Sequence, residues 1–168
     1  MMRNKKVLIV GSARWGKDTL AEIWRDEFGF KFKSSSIAAS EIFIYDSLKE
    51  KYGYKTPEEC FEDRVNKRKE WYELITDFNK LDKAKLAKEI LKTNDGYVGM
   101  RNSDEIEECR RQKIFDLVIW VDASERLPGE SLESFNIKIE DADIIIQNNK
   151  DYEDFRKKAI NLGKIIFC

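Results

Sequence analysis

A short segment with two glycines, Gly11-Ser12-Ala13-Arg14-Trp15-Gly16-Lys17-Asp18-Thr19, constrains the fold of this chain more than any other feature. The apolar run 7–10 precedes this segment and has the length of a buried strand. After the segment, apolar residues recur at the three- and four-residue spacing of a helix, and Gly29 is placed to end that helix. A buried strand, a tight turn and a helix in this order indicate an α/β fold.

Strand-like and helix-like segments alternate along the rest of the chain, which predicts a three-layer α/β fold with a mainly parallel sheet. Helical spacing fills most of residues 36–92, and a polar loop at 122–134 has Pro128-Gly129 near its centre. We therefore expect a single domain over residues 1–168 with a helical insert and a short lid-like loop. Further strands are predicted at 30–33, 97–100, 114–121, 142–146 and, at the end of the chain, 164–167.

The composition excludes several classes of chemistry. The 168 residues include no histidine, so Ser-His-Asp and Cys-His nucleophile systems and the usual zinc hydrolase site are ruled out. The three cysteines, Cys60, Cys109 and Cys168, are odd in number and far apart, which argues against a disulfide framework. The remaining chemistry depends on lysine, arginine, carboxylates, backbone amides and a bound metal ion.

The charge balance and the hydropathy pattern limit the partners. The 31 basic and 32 acidic residues nearly cancel, so no overall field favours a nucleic acid, and any phosphate site must be local. No apolar run approaches the ~20 residues of a membrane span, and the run at 7–10 is too short for the core of a signal peptide. We expect a cytoplasmic protein, a monomer or homodimer, whose partners are small molecules rather than nucleic acids or membranes.

The chemistry of the glycine segment follows from its backbone. Gly11 and Gly16 permit angles that turn successive N–H groups toward the inside of a loop, and the following helix presents its positive N-terminus there. Lys17 adds a full positive charge that can reach the β and γ phosphates of ATP. We therefore predict that residues 11–19 form a phosphate-binding loop that binds ATP.

The residue after the lysine departs from the usual pattern, in which Ser or Thr follows directly. Here Asp18 intervenes before Thr19. A carboxylate beside bound phosphates repels them unless it points away or holds a hydrated Mg²⁺ ion. Two interpretations stay open for Asp18: stabilisation of the first helical turn, or a metal site with Thr19.

The loop also carries a family resemblance. Gly-Lys-Asp-Thr resembles the loop of phage-type deoxynucleoside monophosphate kinases, relatives of adenylate kinases, in which the stretch is Gly-Lys-Gly-Thr. Further segments that resemble this family are Asp63–Trp71, Val98–Arg101, Val118–Arg126 and Ala142–Asn149. The resemblance implies a core sheet, a helical region for an acceptor monophosphate, and a lid over the donor. It also implies transfer of the γ-phosphoryl group of ATP, with Mg²⁺, to a deoxynucleoside or nucleoside monophosphate.

On the acceptor side, Arg101 follows a short predicted strand, where relatives of adenylate kinase place an arginine against the acceptor and the moving phosphoryl group. Arg64 and Arg68 are four residues apart, which predicts a shared helix face that clamps the acceptor phosphate. Trp71 or Tyr72 is a candidate for contact with the base, and Ser36, in a polar turn, is a further candidate for acceptor binding. Ordinary charged and core positions remain the alternative for each residue of the helical insert.

On the donor side, Arg126 lies in the polar loop, where lid arginines occur in this class, and is a catalytic candidate together with Lys17 and Arg101. Asp122 ends an apolar strand and is a weak candidate for holding Mg²⁺ beside Asp18 and Thr19. Adenylate kinases take this acid from the strand that here ends in Arg101 and carries none.

Two other functions remain open. One is a different P-loop kinase for small metabolites, of the dephospho-coenzyme A kinase or phosphomevalonate kinase kind. The other is a nucleotide-binding regulator without catalysis. A regulator needs only the loop and Lys17, whereas a transferase needs arginines that converge on the γ-phosphate. Arg101 and Arg126 are such candidates, so the sequence favours an enzyme.

Overall fold

The computed structural model describes residues 4–168 and contains one five-stranded sheet. Its strands are β1 (Val7–Val10), β2 (Phe32–Ser34), β3 (Gly96–Val98), β4 (Leu117–Asp122) and β5 (Ile144–Gln147). The strand order is β2-β3-β1-β4-β5, and every neighbouring pair is parallel. The predicted α/β class with a parallel sheet is therefore confirmed.

Helices connect the strands. They are α1 (Lys17–Phe28), α2 (Ser35–Ala39), α3 (Tyr45–Tyr52), α4 (Pro57–Glu62), α5 (Arg68–Phe78), α6 (Lys85–Leu91), α7 (Ser103–Arg111) and α8 (Tyr152–Phe167). A π-helical turn (Ser40–Ile44) joins α2 to α3, and a 3₁₀ turn (Asp63–Asn66) separates α4 from α5. All helices from α2 to α6 lie between β2 and β3 in the chain.

The central strand β1 is buried on both faces, and alternate residues enter two separate cores. Leu8 and Val10 belong to a core that contains residues of the α2–α6 segment and of α7. Val7 and Ile9 belong to a second core, which α1 and α8 cover. Helices therefore cover both faces of the sheet in three layers, as a parallel sheet requires.

The predicted final strand at 164–167 is wrong, because α8 continues to Phe167. The Phe167 ring packs against Trp24 and Phe30, with ring centroids 5.2 and 5.4 Å away. Buried residues Phe155, Ala159 and Ile166 keep the helical spacing to the end of the chain. This aromatic contact with α1 stabilises the last turn as helix in the layer over the sheet.

The parallel strands bring three connections to one edge of the sheet. The carboxyl ends of β1, β3 and β2 lead into Gly11, Gly99 and Ser35 respectively. Ligands of open α/β sheets bind in the crevice outside these strand ends. Within residues 4–168, no helix is both long enough and apolar enough to cross a membrane.

Candidate active site

The loop after β1 has the conformation that its two glycines permit. Gly11 has a φ of 147°, and an added Cβ would lie 2.7 Å from the carbonyl oxygen of Val121 in β4. Gly16 has a φ of 106°, and its Cβ would lie 2.5 Å from Nδ2 of Asn148. Both left-handed angles and both close approaches exclude a larger side chain. The loop is therefore fixed between the ends of β4 and β5.

Asn148 holds the loop from the side of β5. Its Nδ2 donates to the carbonyl oxygen of Trp15 at 2.9 Å, and the residue is buried. A buried amide that bonds the loop backbone keeps the turn in one geometry before any ligand arrives. Asn148 thus holds the phosphate loop in place.

Lys17 begins α1 and lies against the loop, where its Nζ donates to the carbonyl oxygen of Ser12 at 2.9 Å. Burial and the nearby Arg101 lower the pKa of Lys17, while Asp18 and Glu130 act in the opposite direction. Two cations held close together, one of them partly buried, favour binding of an anion between them.

A cavity of about 880 Å³ opens beside this loop and runs toward β2 and the 3₁₀ turn before α5. Its volume is at the upper end of the range for small-molecule sites. The charged side chains in its lining are Arg14, Lys17, Arg25, Lys31, Lys33, Arg64 and Arg101, against Asp18 and Glu22. This excess of positive charge makes the cavity suited to an anionic ligand.

Arg101 follows β3 and lies where the phosphate loop meets the cavity, as the sequence predicts from its position after a strand. It lines the cavity together with Ala13 and Lys17. Its Nη1 pairs with Oε1 of Glu130 at 2.5 Å, and its backbone oxygen accepts from the N–H of Asn136 at 3.1 Å. The guanidinium remains about half exposed and accessible from the cavity.

Arg64 lies in the cavity lining on the side of the helical segment. Its Nη1 donates to the carbonyl oxygen of Phe61 at 2.9 Å, and its guanidinium stacks 3.8 Å from the centre of the Phe61 ring. Stacking and the backbone bond hold the planar group in one orientation, with other N–H donors left for a ligand. Ser36, in the first turn of α2, also lines the cavity.

The predicted helix face shared by Arg64 and Arg68 is wrong. Arg64 lies in the 3₁₀ turn, Lys67 interrupts the helix with φ −126° and ψ 26°, and Arg68 begins α5. The carboxylate of Asp63 accepts hydrogen bonds from the Tyr54 hydroxyl and from Asn66, which stabilises the turn. Arg68 is exposed and lies outside the cavity lining.

Trp71 lies in the core rather than at the cavity, so the structure does not place it where an acceptor base would bind. It is 5% exposed and packs in the core on the α2–α6 side of the sheet. Its buried Nε1 has no hydrogen-bond partner among residues 4–168. Trp71 and the exposed Tyr72 are adjacent aromatic residues, and the sequence alone does not show which of them packs into the core and which faces outward.

Arg126 is not brought to the cavity. Its Nε donates to the carbonyl oxygen of Asn148 at 2.6 Å, and the residue is absent from the cavity lining. The structure therefore unites two of the three predicted catalytic residues, Lys17 and Arg101, and places Arg126 apart from them.

The loop between β4 and the next 3₁₀ turn (Ile139–Asp141) lies on the phosphate loop. Nε1 of Trp15 donates to the carbonyl oxygen of Pro128 at 3.2 Å, and the N–H of Glu130 donates to Oγ of Ser12 at 3.1 Å. The Glu130 carboxylate reaches Ala13 and Arg101. Sequence reasoning missed Glu130, because nothing in a polar loop distinguishes one glutamate from its neighbours.

The predicted metal ligands are oxygen donors of the kind that Mg²⁺ prefers. Asp18 is exposed in the cavity lining and Thr19 is its neighbour in the first turn of α1. Asp122 instead accepts from the N–H of Ser124 and from Asn149, both at 3.3 Å. The part of the chain that the structure describes contains no group of three acidic, histidine or cysteine residues suited to a metal. Mg²⁺ sites with one or two carboxylates and substrate phosphates need no such group, so Asp18 and Thr19 stay the predicted ligands.

Comparison with known proteins gives matches in structure but not in sequence. No protein-family model and no curated protein sequence matches the chain. Dephospho-CoA kinase from Campylobacter jejuni matches with a TM-score of 0.55 and 17% identity over 97% of both chains. A sugar kinase from a Janibacter species has a TM-score of 0.49 and 13% identity over 98% of this chain and 96% of that one. Shikimate kinase from Aquifex aeolicus has a TM-score of 0.44 and 14% identity over 95% and 96%. The first of these similarities shows that the chain shares the fold of that dephospho-CoA kinase.

Proposed function

We propose that this chain is an ATP-dependent kinase that phosphorylates a nucleoside monophosphate, with deoxynucleoside monophosphates as the preferred class. One observation carries the proposal: Lys17, Arg101 and Arg64 line the same cavity, which begins at the phosphate loop. A loop and a lysine suffice to bind a nucleotide, but two further arginines in the same cavity match the needs of phosphoryl transfer between two anions. The P-loop kinase fold and the resemblance of segments 63–71 and 98–101 to phage-type kinases support it.

In the proposed reaction, the amides of residues 13–18 and Lys17 hold the β and γ phosphates of ATP. Arg64 and Ser36 hold the phosphate of the acceptor on the opposite side of the cavity. An oxygen of that phosphate attacks the γ-phosphorus, a new P–O bond forms, and the bond to the β–γ bridging oxygen breaks. Arg101 stabilises the negative charge on the transferred group. Mg²⁺ held by Asp18 and Thr19 would neutralise charge on the donor phosphates.

A screen of ADP release tests the proposal. ATP and Mg²⁺ are supplied with each common ribo- and deoxyribonucleoside monophosphate, and ADP is measured by a coupled assay. We expect turnover with one or a few deoxynucleotides and none in the Lys17→Ala variant. ATP binding without acceptor-dependent ADP release from any acceptor would instead identify a nucleotide-binding regulator.

The length of the cavity favours a second candidate, a kinase for a larger acceptor with an additional anionic group. Lys31 and Lys33 line the cavity together with Arg25. Lys31 precedes β2, three residues from Ser34, which places it about 10 Å from the loop end of that strand. The dephospho-CoA kinase to which the fold is similar acts on an acceptor larger than a nucleoside monophosphate. The same screen therefore includes dephospho-coenzyme A, and turnover with it alone would replace the first proposal.

A further inference from the structure

The carboxylate of Glu130 occupies a position among the positive groups of the candidate active site. Its Oε2 accepts from the N–H of Ala13 at 2.8 Å, and its Oε1 pairs with Nη1 of Arg101 at 2.5 Å. It also lies close enough to Lys17 to offset part of the lowering that burial and Arg101 impose on the pKa of that lysine. A loop amide, a guanidinium and an ammonium are the groups that bind a phosphoryl group in a P-loop kinase.

The position of these contacts indicates which phosphate group of a bound nucleotide would take the place of the Glu130 carboxylate. Within the phosphate loop (residues 11–19), Ala13 lies near the start and Lys17 lies at the N-terminus of α1. A polyphosphate that lies along the loop has its terminal group at the end nearer the acceptor. Arg101 is the residue proposed to stabilise the transferred group, and it lines the acceptor cavity together with Ala13 and Lys17, so the terminal phosphoryl group belongs beside Arg101.

We propose that Glu130 is an internal competitor for the terminal phosphoryl group, and thereby sets the preference of this site between nucleoside triphosphates and diphosphates. This inference rests on the proposed function. ATP displaces the carboxylate from Ala13 and Arg101, whereas ADP, one phosphoryl group shorter, leaves these contacts in place. Once the phosphorylated acceptor leaves with the transferred group, the carboxylate returns to the vacated position, with ADP still bound.

The loop that carries Glu130 is built so that its middle can move while its ends stay fixed. Ala123 at one end and Phe135 and Ile137 at the other are buried in the core. The intervening residues 128–134 are exposed, with the exception of Glu130 itself. Displacement of the carboxylate therefore breaks contacts with the phosphate loop but exposes little apolar surface.

Two matched variants test the proposal, Glu130→Gln and Glu133→Gln. Both remove one negative charge from the same loop, but Glu133 is exposed. Calorimetric titrations with Mg²⁺ use the non-hydrolysable analogue AMP-PNP and, separately, ADP. In Glu130→Gln we expect AMP-PNP to bind about tenfold more tightly, because the competent state is more populated, and ADP to bind as in the wild type. Glu133→Gln should bind both ligands as the wild type does.

Several results would overturn the proposal. Weaker AMP-PNP binding in Glu130→Gln would make the carboxylate a group that holds the donor or its metal. Equal tightening for ADP and AMP-PNP, or the same change in Glu133→Gln, would reduce the effect to long-range charge.

A second pair of probes separates this inference from the proposed function. Tripolyphosphate and pyrophosphate differ by the same terminal phosphoryl group but carry no nucleoside. Stronger tightening for tripolyphosphate than for pyrophosphate in Glu130→Gln supports the competitor, even if no nucleoside monophosphate is ever phosphorylated. Hydrogen exchange of the Ala13 amide without ligand should be faster in Glu130→Gln than in Glu133→Gln, and equal rates would contradict the contact itself.

Discussion

The phosphate loop (residues 11–19) and the helical segment from α2 to α6 contribute to the same cavity in different ways. The loop presents backbone N–H groups whose directions depend on the left-handed angles of Gly11, Arg14 and Gly16. The helical segment presents side chains, such as Arg64, whose positions depend on a break between two helices. A backbone site is encoded by a few adjacent residues, whereas a side-chain site depends on contacts that are distant in sequence.

The largest expected effect tests the loop. Lys17→Ala removes the full positive charge beside the loop and should reduce kcat/KM by at least about 10³-fold, because no other group replaces it between the phosphates. Steady-state kinetics measure the loss, and circular dichroism checks that the fold is intact. A folded variant with near-normal turnover would remove the loop from the reaction.

Arg101→Ala tests the arginine that shares the cavity with both the phosphate loop and the helical segment. We expect kcat to fall about 10²–10³-fold, since the arginine acts on charge that develops in the transition state, and the KM for ATP to rise by a smaller factor, since the arginine also contacts the terminal phosphoryl group of bound ATP. Arg101→Lys serves as the control, because it keeps the charge and loses the planar pair of donors. A change confined to KM would assign Arg101 to ground-state binding instead.

Burial disfavours the charged form of an acid and of a base alike, and it therefore shifts two pKa values of this chain in opposite directions. At the loop it lowers the pKa of Lys17, and on α7, next to the helical segment, it raises the pKa of Glu105 to about 7, partly offset by Lys83. A carboxyl group whose pKa is raised in the folded state stabilises the fold fully below its ordinary pKa of 4.5. That contribution is lost as the pH rises through about 7.

Glu105→Gln should therefore flatten the pH dependence of stability. The wild type should lose on the order of 1–3 kcal/mol in the free energy of unfolding, relative to this variant, between pH 5 and pH 8. Urea denaturation at each pH measures the difference. Glu107→Gln, an exposed site on the same helix, is the control. An equal pH response in Glu105→Gln and the wild type would show that Glu105 ionises as an exposed carboxyl does.

The helical segment offers a matched pair, Arg64→Ala and Arg68→Ala. Arg64 lines the cavity and Arg68 is exposed outside it. We expect the first variant to raise the KM for the acceptor about tenfold, the value of one lost charged hydrogen bond, and the second to leave it unchanged. Equal effects would mean that the two arginines act as the clamp that their spacing predicts.

These two regions also show how far the sequence determines the site. The strand β1, the phosphate loop and α1 are adjacent in sequence, so the positions of Gly11, Gly16 and Lys17 suffice to predict the geometry of the loop. The break at Lys67 arises from contacts of Asp63 with Tyr54 and Asn66. Such contacts have no periodic signal, which is why the shared face of Arg64 and Arg68 was a wrong prediction.

Glu130 and Phe167 show the same limit outside the helical segment. Glu130 reaches Ala13 across 117 positions of sequence. Phe167 lies in the last turn of a helix because its ring packs on Trp24 of α1 and on Phe30, which precedes β2. Its neighbours Ile165 and Ile166 have strand propensity. In both cases a distant partner decides the outcome, and a single sequence does not identify that partner.

The smallest expected effect concerns Arg126, the third arginine that the sequence assigns to catalysis. Its Nε is held by the carbonyl oxygen of Asn148, and Asn148 in turn bonds the loop at Trp15. Arg126→Ala should therefore change kcat by less than about threefold, because the clamp on the loop is a separate bond from the side chain of Asn148. A loss of kcat as large as that of Arg101→Ala, measured under the same conditions, would mean that the loop between β4 and the 3₁₀ turn, residues 123–138, carries Arg126 into the cavity during the reaction. The loop would then supply a catalytic side chain as well as the Glu130 carboxylate. The donor side of the site would then combine a preformed backbone site, the phosphate loop, with a side chain that reaches its position only when the ligand binds.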